Sequence, residues 1–213
     1  MKDRVTFQAA AIAALVAFLC TLVMGFGARP PEGAPSLQPT HPTGPASDFS
    51  RPTNEYPERV LVFFTADSLF VLSYTMAFAG LYTVAAGRSH LLASLGLGAG
   101  LLGTLLDATE NAFLITYALL ARYGTPLTEP ALPAIYVLAN VKWMAGFAAF
   151  YAFGLTWPRE RWLGWVLSAL MLLFPLVGVL AIVWPVLVKI RGVFLLIGMP
   201  LFAWDFWRRS RGT

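Results

Sequence analysis

Runs of about 20 apolar residues recur along almost the whole of this chain, and they restrict what it can fold into. A helix of that length crosses the hydrocarbon core of a bilayer, which is about 30 Å thick. With 58% hydrophobic and 12% charged residues, the composition is typical of a membrane protein. Little of the chain is left for a soluble domain.

Short polar or Pro-containing interruptions divide the apolar residues into six predicted helices. The predicted ranges are 5–27, 60–86, 91–121, 132–156, 163–184 and 186–207. Most connections are so short that neighbouring helices must run in opposite directions. We therefore expect an all-α integral membrane protein, an antiparallel bundle of six transmembrane helices that forms a single membrane domain. The first run exceeds the apolar region of a signal peptide and is interpreted as an uncleaved helix.

The segment 28–58 differs from the rest, because it contains eight of the fifteen prolines. It lacks the apolar content to pack by itself, so it is predicted to be an extended or disordered extracytoplasmic loop. Two interpretations stay open: a solvated tether between the first two helices, or a lid over the outer side of the bundle.

The distribution of Lys and Arg predicts the orientation in the membrane. The cluster Arg208, Arg209 and Arg211 marks the cytoplasmic side, since positive charge near membrane helices is enriched there. We expect a multi-pass protein of the cell (inner) membrane with both termini cytoplasmic. Lys189 and Arg191 interrupt the start of the sixth run and are expected to snorkel to the lipid headgroups.

Several function classes are excluded by composition. Cys20 is the only cysteine, which excludes an iron–sulfur cluster or a disulfide framework within the chain. His41 and His90 both lie outside the apolar runs, so no pair of haem ligands lies within the membrane. The basic residues are scattered at segment ends, and we expect no nucleic-acid partner. The expected partners are the lipid bilayer and, for so small a bundle, further copies of the chain or a larger membrane complex.

Asp107, Glu110 and Asn111 are polar residues in the middle of the third apolar run. On a helix they share one face, because residues three and four apart are neighbours. Charge at that depth is costly, and such residues usually face the bundle interior and mark a site or a pathway. Small residues on the same face allow a neighbouring helix to approach closely: Gly96, Gly100 and Gly103.

Two neighbouring helices carry matching polar residues. Lys142 lies on a small-residue face of the fourth helix, and Asp67 shares a face of the second helix with Tyr74. Counted from the helix ends, Asp67 lies about 12 Å deep, and Lys142 and Glu110 about 15 Å. The sequence therefore predicts one polar layer in the outer half of the membrane.

The predicted layer has too much negative charge. Asp67, Asp107 and Glu110 oppose the single Lys142, and buried carboxylates must be protonated or neutralised by a cation. A proton, a sodium ion or a Mg²⁺- or Ca²⁺-type ion is therefore a candidate, and Asp107, Glu110 and Asp67 are the candidate metal ligands. The candidate ligand-binding set is Asp67, Tyr74, Asp107, Glu110, Asn111 and Lys142.

Three functions stay open at this point. The first is binding, with transport as an extension, of a cation, proton or small polar molecule from the outer side. The second is a metal-dependent or acid–base enzyme that acts on a lipid-like substrate, with paired carboxylates as acid and base. The third is an accessory subunit of a membrane complex. A purely structural Lys142–Glu110 pair that holds the helices together is the alternative to all three.

Overall fold

The computed structural model describes residues 2–27, 46–127 and 132–212, and all of the regular structure in these ranges is helical. Val23–Gly27 continues the first helix as a π-helix, and Pro185–Leu187 forms a 3₁₀ turn before the last. The α-helices are α1 Lys2–Leu22, α2 Ala46–Glu55, α3 Pro57–Ala86, α4 His90–Arg122, α5 Leu132–Thr156, α6 Trp162–Val183 and α7 Val188–Ser210.

Six of these helices are long and apolar enough to cross a membrane. Only α2, with 10 residues, is too short. The outer surface carries many exposed Leu, Val and Ile side chains, such as Leu72, Leu105 and Ile182. The predictions of an all-α fold and of six spanning-length helices are thus confirmed for the described residues.

The helix ends differ from the predicted ones by a few residues, for local reasons. Helix α3 begins at Pro57, because proline suits the first turn, where its missing N–H has no partner to lose. Ser89 caps α4 by accepting a hydrogen bond from the Leu92 N–H (3.4 Å). The last helix extends to Ser210, because Arg208 and Arg209 pair with the buried Asp205 instead of ending the helix.

The prediction of an irregular segment over 28–58 is wrong for its second half. Ala46–Glu55 forms α2, and Pro57 and Glu58 belong to α3. Asn54 fixes α2 to the end of α4: its side-chain amide donates to the Leu127 carbonyl (3.1 Å) and accepts from the Leu127 N–H (2.8 Å). These long-range bonds supply stability that the local composition lacks. Residues 28–45 lie outside the described ranges, so the lid and tether interpretations stay untested there.

The six long helices form a closed ring. Helix α1 packs on α3, α3 on α4, α4 on α5, α5 on α6, α6 on α7, and α7 returns to α1. One face of the ring, here called the terminal face, contains the start of α1 and the end of α7, where Phe7 stacks on Phe206. The opposite face, here called the α2 face, contains the Arg122–Glu58 ion pair (3.0 Å) and α2 itself.

Aromatic side chains fill the ring towards the terminal face. Trp157 is fully buried against Phe202 and Phe206, and Phe78 stacks on Phe153. Interlocked rings of this kind bury large areas and pack without gaps. The half of the ring towards the α2 face is packed differently, and the polar residues lie there.

We predict that the contact between α1 and α3 does not tolerate a side chain at Gly80. A Cβ at this position would lie 2.6 Å from the Cβ of Ala10, which only a shift of the two helices can relieve. Gly80→Val should therefore lower the free energy of unfolding by about 1–3 kcal/mol. Gly98→Val is the matched control, because a Cβ at Gly98 meets nothing within 4 Å. Unfolding in detergent micelles measures both, and equal stability of the two variants would contradict this packing.

Candidate functional site

Helices α4 and α5 approach closely at Gly103. A Cβ on Gly103 would lie 3.5 Å from the Lys142 carbonyl oxygen and 3.6 Å from the Gly146 backbone nitrogen. Glycine at this position therefore lets the two backbones come near each other. Asp107 and Glu110 follow Gly103 by four and seven residues, so they lie on the same face of α4, against Lys142.

The ammonium of Lys142 is shared between two carboxylates. Its Nζ lies 2.6 Å from Oδ1 of Asp107 and 2.6 Å from Oε2 of Glu110. All three side chains are nearly buried, with 11%, 12% and 4% of their surfaces exposed, respectively. Two ion pairs with one lysine leave this cluster with one excess negative charge. In the low-dielectric interior, such charges are stable only when they are paired in this way.

The second oxygen of Asp107 is also occupied. Tyr74 on α3 donates its hydroxyl hydrogen to Oδ2 of Asp107 at 3.0 Å. Next to this bond, the hydroxyls of Thr75 and Thr104 join the same two helices at 2.9 Å. Asp107 therefore links α3, α4 and α5, and its carboxylate has a partner on both oxygens.

Asp67 on α3 is only 6% exposed, yet its Oδ2 accepts no hydrogen bond from any side chain or backbone group in the described part of the protein. Asn111 lies beside this carboxylate, and its amide also donates a 3.4 Å hydrogen bond to the Ser68 hydroxyl. A buried acceptor without a donor is costly, by roughly 1–3 kcal/mol, and such groups are uncommon in native proteins. Oδ2 of Asp67 shares this state with Oδ1 of Asn111 and Nε of Arg191, which also lack a hydrogen-bond partner among the described residues.

A cavity of about 330 Å³ lies inside the ring, and residues from all six long helices line it. Asp67, Tyr74, Asp107 and Lys142 form its polar wall, whereas Glu110 and Asn111 lie behind that wall. The remaining lining is largely apolar. It extends from Met24 and Val188, near the α2 face, to Phe78 and Gly100, deeper in the ring. The volume is in the range of small-molecule sites in proteins.

Arg191 is a lining residue that the sequence did not predict for the site. Its guanidinium lies over the ring of Trp143, 4.3 Å from the centroid, and both side chains line the cavity. The prediction that Arg191 snorkels to the lipid headgroups is therefore wrong. A Trp face attracts a guanidinium and holds it inside the ring. Arg191, Leu195 and Met199 are spaced four residues apart, so they share one face of α7, and all three line the cavity. This helical spacing is the sequence pattern that could have located Arg191 at the site.

The six predicted site residues lie close together in the structure. Asp67, Tyr74, Asp107 and Lys142 lie together at the cavity, with Glu110 and Asn111 next to them. In residues 2–27, 46–127 and 132–212, no three His, Cys, Asp or Glu side chains are arranged to hold a metal ion. The three-carboxylate metal centre is therefore not formed, because the ammonium of Lys142 takes the position between Asp107 and Glu110 that a metal would need.

Comparison with protein-family models, with curated proteins and with solved structures found no match to this chain. Its function is therefore argued from the geometry of the cavity and its charges alone.

We predict that Lys142 is essential for stability because of the two carboxylates it neutralises. Lys142→Met leaves Asp107 and Glu110 facing each other without a cation, which should lower the free energy of unfolding by about 3–5 kcal/mol near neutral pH. Lys142→Met combined with Glu110→Gln should recover part of this loss, since one of the two unpaired charges is removed. The double-mutant cycle in detergent measures the coupling. Additive effects of the two substitutions would contradict the ion pair.

Proposed function

We propose that this protein is a multi-pass membrane protein that binds a small molecule or ion with a polar or charged group inside the ring of six helices. The observation that carries this proposal is a cavity of about 330 Å³ lined by Asp67, a buried carboxylate whose Oδ2 has no hydrogen-bond donor among the described residues. A bound molecule that donates a hydrogen bond to this carboxylate would offset the cost of burying it. A polar layer that only held the helices together would explain neither the Asp67 carboxylate without a salt bridge nor the cavity that it lines.

The residues that line the cavity favour entry of a ligand from the α2 face. Met24, Gly25 and Val188 line the cavity at the ends of α1 and α7 that lie towards this face. Towards the terminal face, the ring of Phe78 packs so closely on α4 that a Cβ at Gly100 would lie 2.7 Å from it. The arrangement supports a binding pocket that is closed at its inner end. Transport would additionally require the rings around Phe78 to separate.

The enzyme hypothesis has less support from the same geometry. Asp107 already uses both oxygens for Lys142 and Tyr74, and Glu110 does not line the cavity. A general acid or base needs a proton-accepting atom within reach of the bound substrate. Asp67 alone meets that condition, which fits a binding residue better than an acid–base pair.

For the membrane position, we propose that the terminal face is cytoplasmic. Arg208 and Arg209 end α7 at this face, and Arg4 lies in the first turn of α1. Positive charge next to membrane helices favours the cytoplasmic side, so the cavity would be reached from the outside. The bilayer would contact the exposed Leu, Val and Ile side chains of the outer surface.

The cavity should be accessible to water, and labelling of an introduced cysteine tests this. In a Cys20→Ala background, Gly146→Cys places a thiol in the cavity at a position where a Cβ meets nothing within 4 Å. N-ethylmaleimide should label it in membrane vesicles, because the reactive thiolate forms only where water is present.

Gly98→Cys is the control for this experiment. Gly98 also has space for a Cβ, but it is exposed on the outer surface of α4 and does not line the cavity. We expect its thiol to stay unlabelled in the hydrocarbon. A folded Gly146→Cys variant that reacts no faster than Gly98→Cys would disprove an accessible cavity, and with it the proposed function.

The orientation is tested separately. A reporter enzyme that is active only in the cytoplasm, fused after Thr213, should be active, because Arg208 and Arg209 retain the end of α7 on that side. The same fusion on a variant with Arg208, Arg209 and Arg211 all changed to Gln should lose part of this activity. An inactive fusion on the unmodified chain would reverse the orientation.

A further inference from the structure

From the charges and walls of the cavity, we infer that its ligand is a monovalent organic cation with an apolar body, such as an amine or a quaternary ammonium compound. Asp67 would be its counter-ion. This inference rests on the proposed function and specifies the class of molecule that the cavity takes.

The sum of the side-chain charges at the site favours a cationic ligand. Three carboxylates belong to the site, namely Asp67, Asp107 and Glu110, and two cationic side chains oppose them, Lys142 and Arg191. When all three carboxylates are ionised, one negative charge is therefore left over. Lys142 is held by Asp107 and Glu110, and Arg191 lies against Trp143, so neither compensates Asp67 through a salt bridge. A ligand with a single positive charge restores neutrality in the low-dielectric interior.

The three carboxylates differ in their partners and in whether they line the cavity. Asp107 lines the cavity, but both of its oxygens have partners. Glu110 lies behind the polar wall, beside Lys142. Asp67 is therefore the carboxylate that lines the cavity without a salt bridge in the described ranges. A ligand N–H can donate to this carboxylate, and a quaternary ammonium group can lie against it without a hydrogen bond.

Aromatic rings in the lining of the cavity also favour a cationic ligand. The faces of aromatic rings carry negative partial charge, and groups of such rings bind quaternary ammonium ions. The guanidinium of Arg191 already lies over one ring, that of Trp143. Rings from three helices line the cavity. They are Phe63, Phe70, Phe78, Trp143, Phe150 and Phe174.

The apolar residues around the cavity favour a ligand with an apolar body. A narrow apolar cleft between α6 and α7 adjoins the cavity and shares Phe174 and Met199 with it. On α7, a Cβ at Gly192 would meet nothing within 4 Å, and one at Gly198 would meet only the edge of the Phe202 ring. The cleft itself holds only about 20 Å³, so a hydrocarbon portion, which a small inorganic cation such as sodium does not possess, would lie against the apolar lining of the 330 Å³ cavity. A bare sodium or potassium ion would also prefer several oxygen ligands to aromatic walls.

Calorimetric titration of the purified full-length protein in dodecyl maltoside tests the ligand class. The probes are benzyltrimethylammonium, benzyl alcohol and benzenesulfonate, which share a ring and differ in charge. We expect the cation to bind at least about tenfold more tightly than the other two, because a charged partner for a buried carboxylate is worth about one to two powers of ten. Titration into empty micelles gives the background of each probe.

Two substitutions separate the ligand class from the proposed function. Asp67→Asn should weaken binding of the cation roughly tenfold and leave benzyl alcohol almost unchanged. Glu58→Gln is the matched carboxylate-to-amide control on the same helix, since Glu58 pairs with Arg122 at the surface and should not affect either probe. Gly146→Leu fills the cavity and should abolish binding of all probes.

The outcomes are distinct. Equal affinity for the cation and for benzyl alcohol, unchanged by Asp67→Asn but lost in Gly146→Leu, would refute the cationic ligand and leave the binding cavity standing. Preference for benzenesulfonate that is lost in Arg191→Gln would reverse the sign of the ligand charge. Binding that Gly146→Leu does not affect would show that the probes bind elsewhere, and would overturn the cavity as the site together with the inference drawn from it.

Discussion

The shared ammonium of Lys142 is the interaction on which the centre of this protein depends. It forms ion pairs with Asp107 and Glu110 at 2.6 Å each, where the backbone of α5 passes next to Gly103 of α4. Through Tyr74, Asp107 extends the connection to α3. Removal of the lysine would leave two buried charges unpaired, which costs more than apolar packing can easily supply.

Once these groups are paired, Asp67 is the carboxylate that lines the cavity without a salt bridge in the described part of the chain. The two halves of the helix ring are packed differently. Large aromatic side chains such as Phe78 and Trp157 fill the half near the terminal face, and the half near the α2 face keeps a cavity. The stable half supports the polar wall, and the cavity gives the excess charge access to a ligand. A charge at this depth is rarely retained without such a role.

Much of the fold could be predicted from the sequence, because runs of about 20 apolar residues favour helices of that length. The face of α4 that bears Gly103, Asp107 and Glu110 followed from helical periodicity alone. The face of α7 that bears Arg191 could have been found from the same periodicity, but its contact with Trp143 could not. The helix over Ala46–Glu55 also depends on a contact far away in the chain, with Leu127.

The sequence by itself determined the six spanning-length helices, the charged residues within α3, α4 and α5, and the excess of carboxylates among them, since these depend on residue type and periodicity. Only the tertiary structure decided which carboxylates are neutralised. Lys142 reaches two oxygens on α4 and leaves Asp67 on α3 to the cavity. That choice depends on distances of a few ångströms between helices, which side-chain packing sets and no local pattern encodes.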